Sequence, residues 1–201
     1  MEEKEIVPPH VSGVQTNTES FKEFKTEQEA KDFYLIARER LLDINHWQDI
    51  AGKATASFQV TDRNGKAVTR EVQKGDHLKI DIPGPGSASG EGYDWVKVEA
   101  VENNNTADSQ WTAIRVRSAT NPLNDNNDVA HFFSDETTST FIVWQEGMKV
   151  TAAVYGRNEK PNTDTQASID TIRNSAIAAG AISGFSKVQW KSLVNGLVAK
   201  E

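Results

Sequence analysis

The chain contains no cysteine, which excludes disulfide bridges, thiolate zinc sites and cysteine nucleophiles. The same absence fits a reducing compartment, so a cytoplasmic location is expected. Positive charge is also short: 22 Lys and Arg stand against 29 Asp and Glu, a formal charge of −7. Phosphate binding needs a basic footprint, so no nucleic acid and no anionic membrane surface is expected as a partner. No apolar run approaches the roughly 18 residues of a spanning helix. The opening Met-Glu-Glu-Lys-Glu-Ile lacks the charged-then-apolar layout of a signal peptide. There is no Gly-x-Ser-x-Gly elbow, the commonest hydrolase signal, and no internal repeat.

What is present is a chain of 201 residues, 37% hydrophobic and 25% charged, with its apolar residues spread over many short runs. At ~150 residues per domain, that suits one acidic, soluble domain with a sizeable core. Residues 1–20 are polar, carry Pro8-Pro9 and show no period, and they read as an irregular lead-in to a single domain over 21–201. Thr26-Glu27-Gln28-Glu29 forms a capping box, in which hydroxyl and carboxylate each satisfy an orphan backbone donor. Behind it Ala30, Phe33, Ala37, Leu41 and Ile44 recur at three- and four-residue steps, widened by Tyr34, Leu42 and Trp47. The spacing predicts a long amphipathic helix over 26–48.

After Gly52 the period drops to two. Strands are predicted over 54–61, 66–72, 77–82, 94–102, 110–117, 138–145 and 148–155. Asp62-Arg63-Asn64-Gly65 and Glu146-Gly147 supply hairpin turns, and Gly75-Asp76 a further turn. Helical spacing returns after Pro161, with a cap at Thr163-Asp164 and a stripe of Ile169, Ile172, Ala176 and Ala179. Residues 175–184 are mostly small. Ser186-Lys187-Val188-Gln189 reads as a second capping box before Trp190, Leu193, Val194 and Leu197. Strands without intervening helices argue for an antiparallel sheet. The expected fold is α+β: six or seven strands packed against a long N-terminal helix and C-terminal helices.

Alternation sorts the strands onto two faces. Leu78, Ile80, Ile82, Val96, Val98, Ala100, Ile114, Val116, Val150, Ala152 and Val154 share the face expected to carry the helices. Lys79, Asp81, Trp95, Lys97, Glu99, Trp111, Arg115, Arg117 and Trp144 take the other. Three tryptophans among charges of both signs could stack a flat ligand; a solvated face with cross-strand ion pairs accounts for them more simply.

Several motifs carry chemistry beside a plainer structural reading. The Gly/Pro-rich stretch 83–92 is flanked by strands and followed by no lysine, so it suits a strand-to-strand excursion or lid better than a phosphate cradle. Asp43-x-x-His46-x-x-Asp49 lacks further metal ligands and suits a helix-end polar cluster. Asn124-Asp125-Asn126-Asn127-Asp128 is rich in oxygen but without the spacing of a calcium loop. His131 alternates with Val129 and Phe133, as a packed histidine or as an acid/base. Arg157 is the best fixed cation for an acidic ligand group if it faces a cavity.

In element order the arrangement resembles the helix-grip type of lipid- and polyketide-binding domains, although the long first helix departs from that pattern. The resemblance implies an internal pocket lined by aromatics such as Phe58, Phe132, Phe133 and Phe141. The expected function is non-catalytic binding of a small, partly apolar or aromatic ligand between sheet and helix, with Trp95, Trp111, His131, Phe133, Trp144 and Arg157 as candidate ligand-binding residues. No metal, cofactor or catalytic constellation is legible. Two alternatives stand beside it. One is an interaction or assembly module, including a homo-oligomer, using the Trp-bearing face or the small-residue helix. The other is an enzyme with an acid/base site around His131 and Arg157, which would need at least two of His131, Arg157, Asp94, Glu99 and Tyr155 to converge in one cleft.

Overall fold

The computed structural model describes residues 6–52, 56–84, 86–106, 109–164, 168–180 and 186–199. Seven strands form one antiparallel sheet: β1 (Val14–Glu23), β2 (Ser57–Thr61), β3 (His77–Asp81), β4 (Asp94–Asn105), β5 (Ser109–Ser118), β6 (Thr138–Glu146) and β7 (Lys149–Glu159). Their order is β1-β7-β6-β5-β4-β3-β2, so the first two strands in sequence are the two edges. Between them in sequence run α1 (Glu27–Leu42), a 3-10 turn (Ile44–His46) and α2 (Trp47–Ala51). The chain ends with α3 (Ser168–Gly180) and α4 (Ser186–Leu197). The α+β class and the antiparallel sheet are as the hydrophobic pattern required.

The capping box at the head of α1 forms. Thr26 Oγ1 accepts from the Glu29 amide at 3.2 Å, and the Glu29 carboxylate accepts from the Lys25 amide at 3.0 Å. The face α1 buries is the one its spacing marks: Ala30, Phe33, Tyr34, Ala37, Leu41 and Leu42. It covers β6 and β7, while α4 lies against β1, β7 and α2. The last helix buries Leu193, Val194 and Leu197. Gly196 allows that approach, since a Cβ there would run into the Ile50 carbonyl oxygen of α2. Trp47 closes the centre, its ring 4.7 Å from Phe141 and 5.3 Å from Phe58, with Nε1 donating to the Arg40 carbonyl.

Five expectations are corrected. First, the lead-in over 1–20 is not irregular throughout, because Val14–Glu23 is edge strand β1, paired along β7; α1 is therefore not the first element. Second, α1 stops at Leu42 rather than 48, and Asp43 leads into the 3-10 turn. Third, 66–72 is no strand. The turn forms, Asp62 Oδ1 accepting from the amides of Asn64 and Lys66 at 2.9 and 3.0 Å, but only Ala67 bridges back to Thr61. Fourth, Ala100 changes face. A bulge between Val98 and Ala100 shifts the β4–β5 register. It sends Ala100 to the second face beside Ala113 and Trp144, while Val101 packs on the main core.

The fifth correction concerns α3. Its helix is described from Ser168, residues 165–167 after the cap expected at Thr163-Asp164 lying outside the described residues, and its expected apolar stripe is turned outward: Ile172 is 73% exposed, and Ala176 and Ala179 are exposed. The buried positions are Asp170, Arg173, Asn174 and Ala178. The side chains of Ile169 and Ser186, and residues 181–184 of the small-residue stretch, lie outside the described residues, as do 54–55 of the strand predicted over 54–61 and Pro85 of the loop.

Candidate functional site

The half of the helix-bearing face spanned by β2, β3 and β4 is not filled by side chains alone. Between it and α3 and α4 lies a cavity of about 290 Å³, lined by Phe58, Ile80, Ile82, Pro83, His131, Phe132, Ile177, Gly180, Gln189 and Trp190. Each element contributes for a local reason. Strand alternation aims Phe58 of β2 and Ile80 of β3, directly paired, to the same side. Ile82 and Pro83 follow where β3 runs out. Trp190 and Gln189 come from the first turns of α4, and Trp190 also leans on Phe58 and Phe141, with ring centroids 6.3 and 5.2 Å away.

His131 and Phe132 enter on the segment between β5 and β6. That segment is clamped by backbone bonds from Trp95 to the Ala130 carbonyl and from Asn162 to the Phe132 carbonyl. The His131 ring stacks on Phe132 at 4.3 Å. Its Nδ1 accepts from the Phe133 amide at 2.9 Å and lies 3.3 Å from the Ser118 hydroxyl. Burial, reinforced by the Arg173 charge, lowers the His131 pKa to about 3, so the imidazole is neutral.

Behind the cavity α3 is attached through charge. Arg173 forms a two-pronged ion pair with Asp94, which is fully buried, and also bonds Asn174 at 2.8 Å. Burial pushes the Asp94 carboxyl up to about 6 against the pull of Arg173. One turn earlier Asp170 holds the Gly/Pro-rich loop: it accepts from the amides of Ala88 and Ser89 at 2.8 and 2.9 Å and from the Ser89 hydroxyl at 2.8 Å. Burial opposes the Asp170 charge, but those donors hold its pKa below the usual carboxylate range. The latter half of the loop is therefore a fixed turn, and its glycines serve close approach, since a Cβ at Gly86 would collide with the Gly92 carbonyl. Asn174 completes the attachment by donating to the Asn162 carbonyl at 3.0 Å.

The expected site residues separate. His131 lines the cavity. Phe133 is buried just behind it with Ala178. Trp95 is 1% exposed, with Nε1 donating to the Gly90 carbonyl. Trp111 and Trp144 pair across β5 and β6 on the opposite face, where the chain's own Ile6 and Val7 pack against them. Arg157 is buried on that face too, bonded to the Thr16 carbonyl and Asn17. Three tryptophans do not form an open platform, and Arg157 does not meet His131. Glu99 is engaged by Arg115 and Arg117, and Tyr155 donates to Glu19 at 2.7 Å.

Of the aromatics expected around a pocket, Phe58 and Phe132 line it, whereas Phe141 is core. Trp190, Ile80, Ile82 and Ile177 were not singled out as ligand-binding. Their shared signal is an apolar residue near one end of a strand or helix.

The other motifs are structural in this fold. His46 Nδ1 lies 2.8 Å from Asp43, whose hydrogen bond raises the imidazole pKa. The Asn/Asp stretch forms successive Asx turns, Asn126 bonding Asn124 and Asp128 bonding Asn126. Among the described residues no group of three or more His, Asp or Glu is placed to hold a metal ion. No helix among them is long and apolar enough to cross a membrane.

No family model matches the chain, and no curated protein matches it. Solved structures do. Hypothetical protein jhp0584 from Helicobacter pylori aligns over 93% of this chain and 87% of its own at 11% identity, with a TM-score of 0.52. The shared property is the fold. A truncated norcoclaurine synthase from Thalictrum flavum aligns over 89% of this chain and 99% of its own at 12% identity and a TM-score of 0.34. Ara h 8.0201 aligns over 92% and 98% at 11% identity and a TM-score of 0.38. The class defined by fold and site is an α+β protein, a seven-stranded antiparallel sheet with an apolar cavity under its C-terminal helices.

Proposed function

We propose that the protein binds a small, partly apolar ligand in the cavity between the sheet and α3 and α4, without catalysing its conversion. The observation that carries this reading is the cavity itself: an apolar void walled by Phe58, Ile80, Ile82, Phe132 and Trp190, with two neutral polar side chains, His131 and Gln189, on its lining. Its volume lies at the lower end of ligand pockets, roughly 300–1,000 Å³, and suits a one- or two-ring molecule. Catalysis finds less support. The acid/base pair His131 and Arg157 lies on opposite faces of the sheet, and Asp94, paired in register with Ile80 of the lining, is engaged by Arg173.

The test is a titration with an apolar fluorescent probe followed by calorimetry, on the wild type and on Ile177→Trp, which fills the void. Binding by the wild type that falls at least tenfold in the variant, with the fold intact by circular dichroism, is the expected result. Equal binding by both proteins overturns the assignment of the cavity.

A second reading, assembly, is favoured by one feature. The outward apolar positions Ile172, Ala176 and Ala179 of α3 form a stripe that a partner could cover. A mass that falls on dilution, and that Ile172→Glu renders monomeric at all concentrations, would support it.

A further inference from the structure

We infer that the ligand of this cavity is uncharged and carries a hydrogen-bond acceptor, such as a ketone or ester oxygen, that receives the Nε2–H of His131. The inference rests on the cavity reading above and names the chemistry within it.

The tautomer follows from the backbone. The Phe133 amide can only donate, and it donates to His131 Nδ1 at 2.9 Å. Nδ1 must therefore be bare, and a neutral imidazole then carries its proton on Nε2. A second proton on Nδ1 would face the Phe133 N–H directly, so the ring is held as a donor at one atom only. Among the described residues Nε2 has no protein partner, although His131 lies on the cavity wall and is buried. Nε2 is not one of the sealed, unpartnered atoms of the interior and so opens onto the cavity; a ligand that covers it without offering an acceptor leaves the donor unpaired, and one that carries an acceptor does not. The Gln189 amide, also buried on the lining, offers a second neutral contact.

Charge is selected against by what surrounds the void. Among the described residues no Asp, Glu, Lys or Arg lines it. The nearest ion pair, Arg173 with Asp94, is closed on itself and on Asn174, so neither member is free to neutralise a ligand. A carboxylate moved into such a site loses its hydration without gaining a counter-ion. At His131 an ammonium would meet an N–H rather than a lone pair. The aromatic walls Phe58, Phe132 and Trp190 supply stacking surface, so ring size and one oxygen define the class.

Three probes of one shape separate the terms: 2-acetylnaphthalene, 2-ethylnaphthalene and 2-naphthoate, measured by calorimetry at pH 7. For the wild type the ketone is expected to bind about five- to tenfold tighter than the hydrocarbon, the worth of one neutral hydrogen bond. The carboxylate is expected to bind at least tenfold more weakly than the ketone. His131→Phe should bring ketone and hydrocarbon to within twofold of each other. Gln189→Leu provides a second variant should His131→Phe fail to fold, and it should retain the preference for ketone over carboxylate. A hydrocarbon that binds as well as the ketone, or a carboxylate that binds as tightly, overturns the inference and leaves the cavity reading standing. Absence of binding by all three probes overturns both.

Discussion

Under α1 and α4 the sheet carries a dry interior, in which Leu41, Ile44, Trp47, Phe141, Val143, Leu193 and Leu197 interdigitate and are at most 2% exposed. Under α3 the same face of the same sheet carries a void, a buried ion pair and a histidine. The two regions differ in how a helix is attached. Helices α1 and α4 dock by apolar area, which is non-directional and tolerates no gap. Helix α3 docks by directional bonds from Arg173, Asp170 and Asn174, and directional bonds can hold an element at a distance from the sheet. An open space is the consequence, and the polar attachment is what keeps that space from collapsing.

That comparison can be broken at several points. The largest effect is expected at the ion pair. Arg173→Met leaves Asp94 buried and unpaired, and chemical denaturation should show a loss of about 3–5 kcal/mol. The double variant with Asp94→Leu should recover much of it, since replacing both charges by apolar groups is often neutral or better. No recovery would mean the pair positions α3 in a way apolar contact cannot.

In the dry half, Leu41→Ala should cost about 2–5 kcal/mol through the cavity it opens. It should leave probe affinity within twofold by calorimetry, because Leu41 does not line the ligand space. A parallel loss of binding would show the two regions to be one cooperative unit.

Acid distinguishes the halves next. The pKa of His131 is lowered from 6.5 to about 3 in the fold, so the stability its neutral form contributes is complete above pH 6.5 and is lost as pH falls toward 3. Burial lowers the pKa of His77 too, in the same sense. Asp94 works the other way, because its raised pKa lets the fold bind a proton before the unfolded chain does between about 6 and 3.8. Removing the first contribution with His131→Leu should make stability less acid-sensitive. Between pH 6.5 and 4 the variant should gain on the wild type by on the order of 2–3 kcal/mol. Parallel pH profiles would contradict a neutral buried imidazole.

The smallest expected change is at the head of α1, where Thr26→Ala removes a cap and should lower stability by about 1 kcal/mol. The same denaturation series would show this, with probe binding unaffected.

Most of what the chain's pattern made legible belongs to the dry half. Phe33, Ala37 and Leu41 mark α1, and Val150, Ala152 and Val154 mark β7, because one face of each is apolar and its period is the period of the element. β1 escaped for the opposite reason: as an edge strand it alternates between exposed and half-buried positions, and polar Thr16, Thr18 and Ser20 are what such a strand needs. α3 was legible as a helix but pointed the wrong way. Its hydrophobic period marks Ile172 and Ala176, whereas partners distant in sequence decide which side is buried. Asp94 is 79 positions from Arg173, and Ala88 is 82 from Asp170. No local rule sees them.

By itself the sequence determined the α+β class, the antiparallel pairing, the cap of α1, the hairpin turns, and the apolar faces of α1, α4 and the central strands. All of these follow from periodicity and short-range hydrogen bonding. Tertiary structure alone decided that a bulge turns Ala100 away from the core and that Trp111 and Trp144 lie beneath the N-terminal segment. It alone decided that Arg157 and His131 stand on opposite faces, and that Phe58, Ile80, His131, Ile177 and Trp190 surround one space. The physical reason is that a cavity has no residue pattern of its own: it is the volume left where elements held by directional polar bonds cannot also close by apolar contact.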